Sequence, residues 1–264
     1  MTPQIWGIIN ATPDSFYDGD AANTLDTLLV RAAAHVQNGA QVLDIGGEST
    51  RPGATPVDET TELSRVLPLI QAIHARWPQV TLSLDTRHVS VAEAGLENGV
   101  HIINDVSGNS SPKLFALVKN YNAQLVLMHT RGTPQTMNSL TGYTDLQNEV
   151  KDFLTDKIAR AREHGLANQQ LWIDVGFGFA KTRAQNYELL KHLSFFKKMG
   201  VRLLVALSRK SFLSQGTDTP QDRLPQTLAA QLIALQQGAA ALRVHDVQEA
   251  RQLISFYCEM EETK

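Results

Sequence analysis

The sequence predicts an α/β fold, a single (β/α)8 TIM barrel spanning residues 1–264, and three observations carry that prediction. Eight apolar, strand-like runs alternate with helix-like stretches from one end of the chain to the other. The runs are almost continuously apolar, as strands covered on both faces are. Nearly every run also ends on a polar residue. In a parallel barrel all strand C-termini meet at one mouth, and active sites of such folds are built there.

Taken in order, IWGII ends at Asn10, QVLDIGG carries Asp44 and VTLSLD ends at Asp85. VHIIND gives Asn104 and Asp105, QLVLMH gives His129 and LWIDVG gives Asp174. LLVALSRK brings Ser208, Arg209 and Lys210, and ALRVHD brings Arg243, His245 and Asp246. Helices are expected over Thr24–Asn38, Val89–Asn98, Asp152–His164 and Leu224–Gln237. Each is followed by a glycine (Gly39, Gly99, Gly165, Gly238) suited to a C-cap, and then by the next strand, the rhythm of parallel crossovers. Two connections are long, Asn10–Ala22 and Gly46–Thr60, both rich in Gly, Pro, Ser, Thr and Asp. They read either as binding loops or as solvated surface.

Composition narrows the function classes. With 24 basic and 27 acidic residues the net charge is −3, so no basic excess points to nucleic acid or a membrane surface. Any anionic substrate must be held by local cations. One cysteine, Cys258, excludes an internal disulfide framework or a cysteine-rich zinc site. No signal-like segment or apolar run of about 18 residues is visible, which fits a cytoplasmic protein.

Loop two reads DIGGESTRPGA. Gly46 and Gly47 allow close backbone approach, while Ser49, Thr50 and Arg51 group hydroxyl, amide and guanidinium donors, which suits a phosphate or diphosphate; the same triplet also suits a helix cap. Arg243 and His245 alternate along a strand and can face one way. Arg243 either offers its plane to a flat ring and its donors to an anion, or pairs with Asp246 or another carboxylate. Asp85, Asn104 and Asp174, with Lys210, can read the donor and acceptor edge of a nitrogen heterocycle. Asp44 and Asp105 read more readily as helix caps or partners of Arg209. No HExxH-type spacing supports zinc, whereas Asn10 can lend one oxygen to Mg²⁺, which keeps waters and leans on substrate phosphates.

With these residues assembled, the sequence resembles the dihydropteroate synthase family, the folate-pathway enzymes inhibited by sulfonamides. The likeness runs from about Gly7 to Val247 and includes NATPDSFYDG (Asn10–Gly19), DIGGESTRPGA (Asp44–Ala54), LDT (Leu84–Thr86) and IND (Ile103–Asp105). GFGF (Gly176–Phe179), SRKS (Ser208–Ser211) and RVHDV (Arg243–Val247) complete it. The resemblance implies 6-hydroxymethyl-7,8-dihydropterin diphosphate and 4-aminobenzoate as substrates, Mg²⁺ as helper and a homodimer. It implies that Asp85, Asn104, Asp174 and Lys210 hold the pterin edge while Arg243 stacks on the ring. Asn10, Thr50, Arg51, Arg243 and His245 would surround the diphosphate and its metal. Phe179, Pro52 and Ser211 would frame the aminobenzoate, with Thr12 and Pro13 closing over it. Arg51, Lys210 and His245 would carry the chemistry. Ala11, Tyr17, Asp20, Thr130 and Pro225–Gln226 depart from the usual family pattern, which bears on loop motion and drug sensitivity. A pterin-binding methyltransferase would share Asp85, Asn104 and Asp174 but has little use for the STRPG loop; a pterin-binding paralogue without turnover is the other alternative.

Overall fold

A computed structural model describes residues 2–12, 24–216 and 218–263. Eight parallel strands close into a barrel in sequence order: β1 Gln4–Asn10, β2 Val42–Gly46, β3 Thr81–Asp85, β4 Ile102–Asp105, β5 Gln124–Met128, β6 Leu171–Asp174, β7 Arg202–Val205 and β8 Ala241–Val244. Outside lie α1 Leu25–Gln37, α2 Glu59–Arg76, α3 Val89–Glu97, α4 Pro112–Asn120, α5 Leu146–Glu163, α6 Arg183–Lys191, the single turn α7 Ser194–Lys197, α8 Leu224–Gln236 and α9 Val247–Glu262. The predicted (β/α)8 TIM barrel is therefore the observed one. Among the described residues, no helix is long and apolar enough to cross a membrane.

Two boundaries differ from expectation. The helix expected from Asp152 begins at Leu146, because Asp145 caps it by accepting from the Asn148 amide and the buried stripe Leu146, Val150, Leu154 already starts there. The second long loop ends at Asp58, whose carboxylate accepts from the Thr61 amide and caps α2. In both cases a capping aspartate lies among residues polar enough to pass for loop.

Strand periodicity sorts the apolar residues into two cores. Ile5, Leu43, Ile45, Leu82, Leu84, Ile103, Leu125, Leu127 and Ile173 join the apolar faces of the helices in one shell. Trp6, Val42, Ile102, Val126, Trp172, Leu204 and Ala241 form a separate cluster. Trp6 on β1 and Trp172 on β6 are not on neighbouring strands, so their edge-to-face contact, ring centroids 5.1 Å apart at 74°, crosses the barrel interior. This cluster is the plug that fills the barrel below its mouth. The indole nitrogen of Trp172 donates to Gln124 Oε1 at 2.8 Å, which satisfies its one polar atom. Replacing Trp172 with Ala should empty part of that plug and lower the stability by about 3–5 kcal/mol, measurable as a shifted urea midpoint with an unchanged slope.

Candidate active site

Position along each strand decides what enters the mouth. Two residues beyond the plug positions Val42, Ile102, Trp172 and Ala241 stand Asp44, Asn104, Asp174 and Arg243. With a period of two, these four side chains form the next interior layer. Register aligns the rim as well: Asn10 lies opposite Gly46, Gly46 opposite Asp85, and Asp85 opposite Asn104.

Arg243 is the centre of this layer. Its Nε donates to Asp44 Oδ2 at 2.6 Å and its Nη2 to Asp85 Oδ2 at 2.8 Å. Ser83 Oγ donates to Asp44 Oδ1 at 2.5 Å, and the Asn104 amide reaches the same carboxylate at 3.4 Å. Asp44 has no exposed surface. Of the alternatives for Arg243, pairing with carboxylates holds, but the partners are Asp44 and Asp85. Asp246 instead takes Arg209 through both carboxylate oxygens. The expected pairing of Asp44 or Asp105 with Arg209 is thus corrected. Asp105 folds the loop after β4, accepting from the Ser107 amide at 2.9 Å and Ser110 Oγ at 2.6 Å.

Burial dominates the titration of this layer. It raises the Asp85 carboxyl to about 7, against the pull of Arg243 and with further push from Asp44. Burial likewise raises Asp174, opposed by Lys210. Burial lowers Lys210 to about 8, with Asp174 acting the other way. The Lys210 ammonium donates to the Phe177 carbonyl at 2.5 Å and stands 4.5 Å from the centre of the Phe179 ring. His245 is pushed well below the ordinary imidazole range by burial and then by Arg209, Arg243 and Arg51. Its Nδ1 lies 3.1 Å from Ser208 Oγ, so at neutral pH it offers a dipole and not a positive charge. Thr50 borders the same cavity as Asp85, which brings loop two to this mouth.

Above the layer lies a cavity of about 330 Å³ bordered by Thr50, Asp85, Thr86, Arg87, Thr130, Pro134 and Phe179, among others. Its rim is fastened across the mouth: the Gly53 amide donates to the Pro134 carbonyl at 2.9 Å, and the Gln135 amide donates to the Ala54 carbonyl. Arg51, Pro52 and Ser211 are exposed, Thr12 is buried just beyond β1, and Asn10 is half-buried. Pro13, Tyr17 and Asp20 lie outside the described residues. Glu48, Glu62 and His88 also approach one another, with ligand atoms within 4.8 Å, making a candidate divalent-metal group.

Three features escaped the sequence reading. Asp44 is the anchor of Arg243; a carboxylate inside an apolar strand was its only signal. Lys181, buried, places Nζ 2.9 Å from His129 Nδ1 and 3.0 Å from the carbonyls of Gly176 and Phe179, tying the GFGF turn to β5. Burial lowers its amine to about 7. The clasp from Pro134 and Gln135 carried no signal at all, since it depends on how two distant loops meet. At Gly176, φ is +71° and an added Cβ would stand 2.0 Å from the His129 carbonyl oxygen, a backbone atom that cannot step aside. The Gly176 amide donates to Asp174 Oδ1 at 2.7 Å. Gly176→Ala should therefore destabilise the fold by at least about 1–3 kcal/mol, read by chemical unfolding, with the turn that orients Asp174 displaced.

Comparison with known proteins agrees with this fold. The family described as Pterin binding enzyme matches residues 6–245. A dihydropteroate synthase of Synechocystis sp. is 42% identical over 252 residues, covering 94% of this chain and 87% of that one. The structure resembles the Yersinia pestis dihydropteroate synthase in a sulfonamide drug complex, with a TM-score of 0.94 and 39% identity over 99% of this chain and 95% of that one. It also resembles the Xanthomonas albilineans dihydropteroate synthase with 4-aminobenzoic acid, with a TM-score of 0.92 and 37% identity over 100% of this chain and 94% of that one. The chain belongs to the dihydropteroate synthase family of pterin-binding enzymes.

Proposed function

We propose that this chain, as one pterin-binding domain, condenses 6-hydroxymethyl-7,8-dihydropterin diphosphate with 4-aminobenzoate to give 7,8-dihydropteroate and diphosphate. The observation that carries the reading is the interior layer itself: Arg243 fixed between Asp44 and Asp85, with Asn104 and Asp174 at the same level and donors from Thr50 and Arg51 above. Asp85, Asn104, Asp174 and Lys210 hold the pterin edge. Arg243, its donors engaged with carboxylates, has a plane left on which the ring stacks. Phe179, Pro52 and Ser211 frame the aminobenzoate, and Thr12 with Pro13 closes over it.

Breaking the C–O bond sends its electron pair to the diphosphate, and positive charge develops on the pterin methylene. Arg51 and Thr50 stabilise the leaving group, and His245 contributes a neutral dipole to it; donors placed beforehand are most effective where charge develops. The amine lone pair of 4-aminobenzoate then forms the C–N bond and the amine gives up a proton. No covalent enzyme intermediate is required. Asn10 at the end of β1 offers one neutral oxygen, which suits Mg²⁺ because that ion takes most of its shell from water and phosphate. Bound there, Mg²⁺ would neutralise charge on the diphosphate. A homodimer in the cytoplasm belongs to the same reading.

The direct test is to supply the purified protein with both substrates and Mg²⁺ and measure dihydropteroate and diphosphate; absence of both products refutes the assignment. Arg51→Ala should lower kcat by about 10²–10³-fold, and unchanged turnover would remove Arg51 from its role. The pH profile has a defined sign. Below about 7 Asp85 takes up a proton and loses its negative charge, and above about 8 Lys210 loses its positive one. kcat/KM for the pterin diphosphate should therefore be highest between those values and fall on both sides. Asp85→Asn should flatten the acid limb, and Lys210→Arg should move the alkaline limb upward.

A further inference from the structure

We propose that Glu48, Glu62 and His88 form a binding site for a divalent transition-metal ion, separate from the position assigned to Mg²⁺ at Asn10. The inference stands on this cluster alone and does not depend on which reaction the mouth performs. Three elements supply the groups: Glu48 from the loop after β2, Glu62 from the first turn of α2, and His88 from the N-cap of α3. Each offers one ligand atom, and these atoms lie within 4.8 Å of one another. Bonds of about 2.0–2.2 Å to such an ion place its ligands roughly 3–4 Å apart, so small side-chain rotations complete the set.

A second observation points to a missing ligand. Glu62 has no exposed surface, and its Oε1 makes no well-aligned hydrogen bond among the described residues, although the Thr86 hydroxyl also bears on this carboxylate. A buried carboxylate oxygen left unmatched is costly. Its other oxygen meets His88 Nδ1 at 2.6 Å. The proton in that contact is what an ion would replace. Glu48 and Glu62 both border the cavity, which gives an ion a path in.

The donor set selects the ion. One imidazole with two carboxylates suits Zn²⁺ or Mn²⁺, whereas Mg²⁺ favours a shell made of oxygen alone. Arg87 is the competitor already present: its Nε donates to Glu48 Oε2 at 2.7 Å and its Nη2 to Glu48 Oε1 at 3.1 Å. An ion in the site would fasten the base of the Ser49–Arg51 loop to α2 and α3.

The test uses the full-length protein, freed of metal by chelation and titrated with Zn²⁺ by calorimetry, with Mn²⁺ paramagnetic resonance as a second readout. The proposal expects one saturable site that survives Asn10→Ala and weakens about tenfold or more in His88→Gln and in Glu48→Gln. It also expects Arg87→Gln to tighten binding, because a competing cation has gone. Circular dichroism on each variant confirms that it folds. No saturable binding by the unaltered protein, equal binding by the His88 and Glu48 variants, or loss of binding in Asn10→Ala would each overturn it.

Discussion

Arg243 held between Asp44 and Asp85 is the interaction on which the mouth of this barrel depends. Its partners lie 199 and 158 residues away in sequence, so the ion cluster exists only once the barrel has closed and β8 has paired with β1. A guanidinium is suited to the task because its planar fork can satisfy two carboxylates at once while staying charged. Burial makes the arrangement unforgiving: removing one member of a buried pair typically costs about 3–5 kcal/mol, since the other charge is stranded. Ser83 and Asn104 also donate to Asp44, so this fully buried carboxylate is well supplied with donors.

Beneath that cluster the barrel is filled with apolar side chains. The tryptophan plug excludes water from below, and the layer above it inherits a low dielectric environment in which charges are expensive. The same cause accounts for Asp85 rising to about 7, Lys210 falling to about 8 and His245 staying neutral. Groups with ordinary chemistry in water thus become groups that change protonation near neutrality. The fold does this with geometry alone, by setting ionisable residues one strand period above an apolar layer.

Loops then add what strands cannot. Loop two is held over the cavity by backbone and amide contacts to the segment after β5, and Lys181 holds the GFGF turn. That division of labour, a rigid polar layer below and fastened loops above, is how one scaffold brings groups from distant strands and loops to a single mouth.

Much of the fold was legible in the chain because it follows from periodicity. Apolar runs marked every strand, glycines marked the ends of α1, α3, α5 and α8, and the polar residue closing each run marked the rim. Helix starts at Asp58 and Asp145 were harder, since a capping aspartate looks like loop when its hydrogen bond is unseen. Residue types at the mouth, among them Asn10, Asp85, Asn104, Asp174, Lys210 and Arg243, were likewise determined by the sequence alone. Which of them face one another was decided only by tertiary structure: Asp44 and not Asp246 receives Arg243, and Lys181 joins His129. The physical reason is that a guanidinium or ammonium will pair with any carboxylate or carbonyl in reach, and reach is set by strand register, barrel closure and depth in the layer, none of which is written in local sequence.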